Sequence, residues 1–185
     1  ALPIFDRAAQ DAFAHSSYAK ARASQAQGKF REEIVGVRVP GTRGQPDLEI
    51  IDDEEPTRVD PSKLAQLRPA FTADGTITAG NASKLDDGAA ALVLASESAC
   101  QQHGLVPLAR IVAHANHAQA PLEFPTAPVY AIDKALARAQ LTAADMDLFE
   151  INEAFSAVAL ACTKLAQLDP ARVNVRGGAV ALGHP

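Results

Sequence analysis

The chain has 185 residues, 48% of them hydrophobic, which excludes a disordered chain and permits a real core. Lys+Arg 17 against Asp+Glu 22 gives a net charge of −5, which argues against wholesale nucleic-acid or anionic-membrane binding but leaves room for a pocket taking a phosphorylated ligand. No apolar run approaches the roughly 18 residues of a membrane span, and two distant cysteines, Cys100 and Cys162, suit neither a disulfide scaffold nor a zinc ribbon. A reducing, cytosol-like compartment is the expectation. With no targeting segment in view, a start at Ala1 without Met and a stop at Pro185, the chain reads as a fragment.

An alanine-rich run with Phe5, Ala9, Ala12 and Phe13 near helical spacing predicts a first helix, stopped at Gly28. Ile34, Val35, Val37 and Val39 read as a short strand, and Leu48, Ile50 and Ile51 as a second. Between them lie Pro40-Gly41 and Gly44-Gln45-Pro46-Asp47, which is turn chemistry. The acidic run Asp52-Asp53-Glu54-Glu55-Pro56 reads as a solvated loop. From Ile77 the texture changes. Residues 89–95 form a continuous apolar run that predicts a buried strand. Ser96 caps a short helix ending before Gly104, and 108–113 predict another strand. Residues 126–139 predict a helix with Val129, Ile132, Leu136 and Ala139 on one face. Thr142 with Asp145 resembles a capping box, and 147–151 read as a strand. Phe155, Val158, Ala159, Cys162, Leu165 and Ala166 mark a buried helix face, and Val173 with Val175 a last strand. The second two-thirds thus reads β-α-β-α-β, a layered α/β arrangement.

Three loops carry more polar and glycine content than their apolar neighbours. In 78–88 small residues let a ligand or ion approach the backbone, or simply make a tight surface turn. In Asn152-Glu153-Ala154-Phe155, Asn152 reads either as a helix N-cap or as an amide that holds a water, and Glu153 as a first-turn acid favoured by the helix dipole. In Gly177-Gly178-Ala179-Val180-Ala181-Leu182-Gly183-His184-Pro185, an imidazole in a glycine-bounded turn is a candidate for acid/base work, though a satisfied surface histidine is the plainer reading. His114 with His117 is too little for a metal site.

Taken together, the last two loops resemble the paired signature of the thiolase family. Gln10-Asp11-Ala12-Phe13, Gly28-Lys29-Phe30, Arg58-Val59-Asp60 and Ala82-Ser83…Asp87-Gly88-Ala89 resemble thiolases in the same order along almost the whole chain. Gly44-Gln45-Pro46-Asp47 and Phe124-Pro125-Thr126-Ala127-Pro128-Val129-Tyr130-Ala131 are similar to the short-chain, mitochondrial-type branch, whose substrate is acetoacetyl-CoA.

The resemblance implies an α/β fold of thiolase-like αβαβα layers, here incomplete. Residues 1–78 would be a loop domain on the CoA-binding side, 79–107 the end of the N-terminal half and 108–185 a truncated C-terminal half. It implies an acetyl-CoA C-acetyltransferase in the full-length protein, acting by reversible thiolysis and Claisen condensation. His184 would deprotonate a nucleophilic cysteine and help polarise the thioester oxygen, and Asn152 would fix a water donating to that oxyanion. Neither Cys100 nor Cys162 matches a catalytic position, so both read as packing residues and the fragment alone is expected to be inactive. Coenzyme A would be a substrate, with no covalent cofactor, contacting Tyr18, Arg58, Val59, Asp60, Lys63 and Ser83. Potassium is implied at Tyr18, Ala79, Gly80, Ala82 and Val180. Phe124 and Pro125 would leave room for a 2-methyl-branched acyl group. Asp86 departs from the asparagine usual in the family. A homotetramer, a dimer of dimers, is implied, with no nucleic-acid or membrane partner, and in the cytoplasm, the mitochondrial matrix being the alternative. Two other readings remain, a non-catalytic CoA-binding module and a ketoacyl-synthase-like condensing enzyme. Asn152-Glu153-Ala154-Phe155 argues against the latter, which uses a second histidine there.

Overall fold

The Asp6 side chain starts the longest helix by accepting a hydrogen bond from the Ala9 amide at 2.8 Å. In the computed structural model, which describes residues 5–185, this helix, α1, spans Arg7–Ala26. The first four residues of the expected 1–78 loop domain lie outside the described residues. Gln27 closes α1 and Gly28 turns left-handed at φ +67°, the expected stop. The buried face of α1 is Gln10, Ala14, Ser17, Tyr18, Ala21 and Ser24. Apart from Gln10 and Tyr18 these are small residues, so neighbouring backbone packs close to the helix axis.

Strands β1 (Val37–Val39) and β2 (Leu48–Ile50) pair antiparallel with Arg38 opposite Glu49. Helix α2 (Glu55–Arg58) and a short 3₁₀ segment at Pro61–Gln66 follow, bringing Pro56 and Leu64 into the interior. Ser96 caps α3 (Glu97–His103) through the Ala99 amide at 3.1 Å, and Gly104 ends it at φ +63°. Helix α4 (Ala127–Ala139) buries Val129, while Ile132, Leu136 and Ala139 of the expected stripe are half-covered. The capping box between Thr142 and Asp145 is present. Helix α5 (Ser156–Leu165) buries Val158, Ala159, Ala161 and Cys162, and the short α6 (Ala179–Leu182) buries Val180 and Ala181.

Two apolar clusters result. One joins Val129, Ile151, Val158, Ala159, Cys162, Leu168 and Val173. The other joins Ala14, Tyr18, Ala21, Leu64, Val180 and Ala181, with Val59 packed against it. Helix α1 serves both, through Phe13 on one side and Ala14, Tyr18 and Ala21 on the other.

The expected β-α-β-α-β series does not form among the described residues. No ladder involves 89–95 or 108–113, and the expected buried strand is open to solvent, with Leu92 90% and Val93 92% exposed. The strands expected at 147–151 and at Val173 reduce to a parallel bridge between Phe149 and Val173. A strand exists only by sharing its N–H and C=O groups with a neighbour. The apolar runs are there, but no adjacent edge is.

Past Val175 the chain crosses α1 at Gly177, whose φ is +84° and where a Cβ would lie 2.7 Å from the Ser17 carbonyl oxygen and 2.8 Å from the Ala21 nitrogen. Gly177→Ala adds left-handed strain to a backbone clash. It is expected to lower stability by roughly 2–4 kcal/mol, read as a shifted midpoint in urea unfolding at unchanged slope.

Candidate active site

Residues 82–85 form an extended strip that holds two corners of the chain. At one end Ala82 bridges Phe155, and the Ser83 amide donates to the Ala154 carbonyl at 3.1 Å. At the other end Leu85 bridges His184, whose amide donates to the Lys84 carbonyl at 2.9 Å. Three residues of extended chain span about 10 Å, so the two corners hang close together on one support. Gly183, at φ +91°, precedes the half-buried His184, and Asp86 packs so tightly on it that a Cβ there would fall 1.6 Å from the Asp86 Oδ2.

Glu153 corrects the reading of a first-turn acid. It stands three residues ahead of α5 and is fully buried. Its Oε2 accepts from the Ser17 hydroxyl at 2.7 Å and the Val180 amide at 3.1 Å, and its Oε1 from the Asn174 amide group at 2.8 Å. Asn174 also accepts from the Ile151 amide at 2.7 Å and donates to the Ile151 carbonyl at 2.8 Å. Neither Asn174 nor Ser17 stood out in the sequence. The signal for Asn174 is a conformation, φ +45°, that composition does not reveal.

Asn152 is exposed and is not a cap, since Phe155 holds that position. It opens instead onto an apolar cleft of about 460 Å³ lined by Phe124, Ile132, Glu150, Ala154 and Val158. Pro125 does not line the cleft; its carbonyl accepts from the Cys162 thiol at 3.7 Å. Burial, then the neighbouring Glu153, push the Glu150 carboxyl up, with Arg176 and Lys20 opposing. Burial also pushes the Cys162 thiol up to about 11, which leaves it inert at neutral pH.

Of the residues expected to meet CoA, Arg58, Asp60 and Lys63 are exposed, while Tyr18 is fully buried. Val59 packs on the cluster that holds Tyr18, and Gly80 faces Leu64 of the same cluster. Arg58 is exposed and pairs with Glu54 at 2.5 Å, and Lys63 approaches Asp60 at 3.7 Å. The Ser62 hydroxyl and amide bond to Asp60 and hold its carboxyl below the usual range. The Ser83 hydroxyl is spent on the Ala154 carbonyl at 3.2 Å. Nor is the acidic run wholly solvated: Glu55 meets Lys84 at 3.1 Å, and burial with the nearby Asp86 and Asp52 raises the Asp53 carboxyl.

The residues matched to potassium include one side-chain donor, Tyr18, which is fully buried. Its hydroxyl accepts from the Lys84 ammonium at 2.8 Å and faces Glu55 Oε1 at 3.3 Å. Burial pushes the Tyr18 hydroxyl up, partly offset by Lys84; burial opposes the Lys84 charge, but its bonds to Tyr18 and Glu55 outweigh that and raise it. As they stand these side chains do not fit a potassium ion, because an ammonium already holds the oxygen the ion would share. Among the described residues no group of three or more His, Cys, Asp or Glu is placed to hold a metal, and no helix is long and apolar enough to cross a membrane.

Comparison with known proteins matches the model of the thiolase N-terminal domain to residues 4–98 and that of the thiolase C-terminal domain to residues 105–185. The chain belongs to the thiolase family. An acetyl-CoA acetyltransferase of Schizosaccharomyces pombe is 52% identical over 97% of the chain, and a mitochondrial one of Homo sapiens 49% over 95%. This thiolase chain covers 46% and 41% of those two proteins, so it spans a little under half their length. Its fold is the thiolase fold in part: an Ascaris suum thiolase solved in complex with coenzyme A superposes at TM-score 0.90 with 45% identity, over 98% of this chain and 46% of that one. A Bacillus anthracis acetyl-CoA acetyltransferase superposes at 0.93 with 42% identity, over the same shares.

Removing the Glu153 carboxyl strands a hydroxyl, a carboxamide and a backbone amide inside the thiolase core. Glu153→Ala is expected to cost about 3 kcal/mol or more in chemical denaturation. Cysteine alkylation of the native protein at pH 8 is expected to label the half-exposed Cys100 and spare the buried Cys162, as peptide mass mapping would show.

Proposed function

We propose that this chain is part of an acetyl-CoA C-acetyltransferase that runs thiolysis of acetoacetyl-CoA and Claisen condensation of acetyl-CoA reversibly. The relatives' names support that reaction class, and the seating of His184 and Asn152 supports their roles. In the forward direction a cysteine thiolate attacks the 3-keto carbonyl and the bond between C2 and C3 breaks. The departing enolate of acetyl-CoA takes a proton, and the thiol of a second CoA then removes the acyl group. His184 takes the nucleophile's proton and, with a water held by Asn152, donates to the developing oxyanion. Both cysteines of this scheme lie outside the chain. The inert Cys162 supports that placement.

Arg58 and Lys63 offer exposed cations for the nucleotide phosphates, with Val59, Asp60 and Ser83 completing the CoA side; the fully buried Tyr18, first expected there, offers no surface to the ligand. Phe124 lines the apolar cleft beside Asn152, with Pro125 next to it in the chain, which supports room for a 2-methyl-branched acyl group and a role in fatty-acid breakdown. Residues 1–78 act as the loop domain, 79–107 close the N-terminal half and 108–185 begin the C-terminal half. A homotetramer, a dimer of dimers, would cover part of the exposed apolar surface near Leu92 and Val93. Several relatives are named as mitochondrial, which supports a mitochondrial location over the cytoplasm, with the matrix as the compartment proposed. Potassium has no part in this reading. The absence of a fitting nucleophile at Cys100 or Cys162 favours one second reading, a non-catalytic CoA-binding module.

His184→Ala in the full-length protein is expected to lower thiolysis of acetoacetyl-CoA by roughly 10²–10³-fold with an unchanged melting temperature. Undiminished turnover would remove His184 from the mechanism. CoA binding without thiolysis by the unaltered full-length protein would establish the second reading, and turnover by the 185-residue chain alone would mean that its nucleophile lies within it.

A further inference from the structure

We infer that Lys84 supplies the chain's own cation at Tyr18, standing in place of a bound alkali-metal ion and tying the His184 turn to α1 and α2. Two contacts meet at its ammonium group. It donates to the Tyr18 hydroxyl at 2.8 Å and lies 3.1 Å from Glu55 Oε1. The anchor is not a surface lysine in a chance rotamer: Tyr18 is fully buried, and the Lys84 and Glu55 side chains are 26% and 17% exposed.

The chemistry is that of a cation site. A phenolic oxygen and a carboxylate oxygen both stabilise a monovalent positive charge. Potassium and an ammonium group carry the same charge and are close in size, so one excludes the other from the same oxygen by contact and by repulsion. The tethered group has the advantage of a high effective concentration, since the chain delivers it.

Its placement gives the cation a second consequence. The Lys84 carbonyl accepts the His184 amide at 2.9 Å, so one residue is bonded through its side chain to α1 and α2 and through its backbone to the His184 turn. Lys84 is therefore a positioning residue. It sets where the His184 turn sits relative to the Tyr18 wall.

The experiment measures melting temperature of the full-length protein in KCl and in NaCl at matched ionic strength, for the unaltered protein, Lys84→Ala and Lys84→Arg. This readout does not depend on acyl transfer, so it fails or succeeds separately from the catalytic proposal. The unaltered protein is expected to melt at the same temperature in both salts. Lys84→Ala is expected to fall by roughly 2–4 °C in NaCl and to recover in KCl, as the ion enters the space the ammonium left. Lys84→Arg keeps the charge and is expected to stay indifferent to the salt. A potassium-specific rise in the unaltered protein overturns the inference, and that comparison needs no variant to fold. So does a Lys84→Ala protein whose melting is unchanged, or lowered equally in both salts.

Discussion

A carboxyl group sealed inside a protein must be given partners, and the partners Glu153 takes decide how this molecule is assembled. Ser17 comes from the first helix, Asn174 from the segment after α5, and the Val180 amide from the turn of α6. These are far apart in the chain. Each would lose a bond if its segment moved, and an unpaired buried polar group costs more than a formed one gains. The glycine pair that follows Asn174 belongs to the same constraint: a Cβ at Gly178 would lie 2.5 Å from the Glu153 carboxyl carbon, so the turn closes down on the acid.

The 82–85 strip rests on that frame. Its neighbour Asn81 is fully buried, donating from its side chain to Asp11 at 2.8 Å and accepting at its carbonyl from the Ser156 amide at 2.8 Å. The strip is thereby held to α1 and to the start of α5 before it meets His184. Its side chains then divide the surroundings, with Lys84 reaching toward Tyr18 and Glu55 and the apolar cleft on the Asn152 side.

The apolar stretch around 89–113 follows a different logic. Leu92, Val93 and Leu108 are as hydrophobic as any core residue, yet they stand in solvent because no strand edge lies beside them. Exposed apolar surface of that extent marks a face that a neighbour covers.

Local chemistry was legible wherever a few adjacent residues decide it. The Gly28 stop, the Ser96 cap, the Thr142–Asp145 box, the β1–β2 turn and the course of the long helices all depend on contacts within a turn or two. The two thiolase corners were legible too, since their residues are contiguous. What lay beyond reach depends on who sits next to whom. The strand-like pattern at 89–95 is correct as a pattern and empty as a strand, because periodicity reports apolar character and not the presence of a pairing edge. Glu153 looked like a helix-start acid because nothing near it in sequence shows that Ser17, Asn174 and Val180 converge on it. Lys84 looked like one polar residue in a small-residue loop, and only packing against Tyr18 and Glu55 gives its charge a place. The sequence by itself determined the local turns, the caps and the family. The tertiary structure decided which polar groups are buried together, because burial energies are set by neighbours in space.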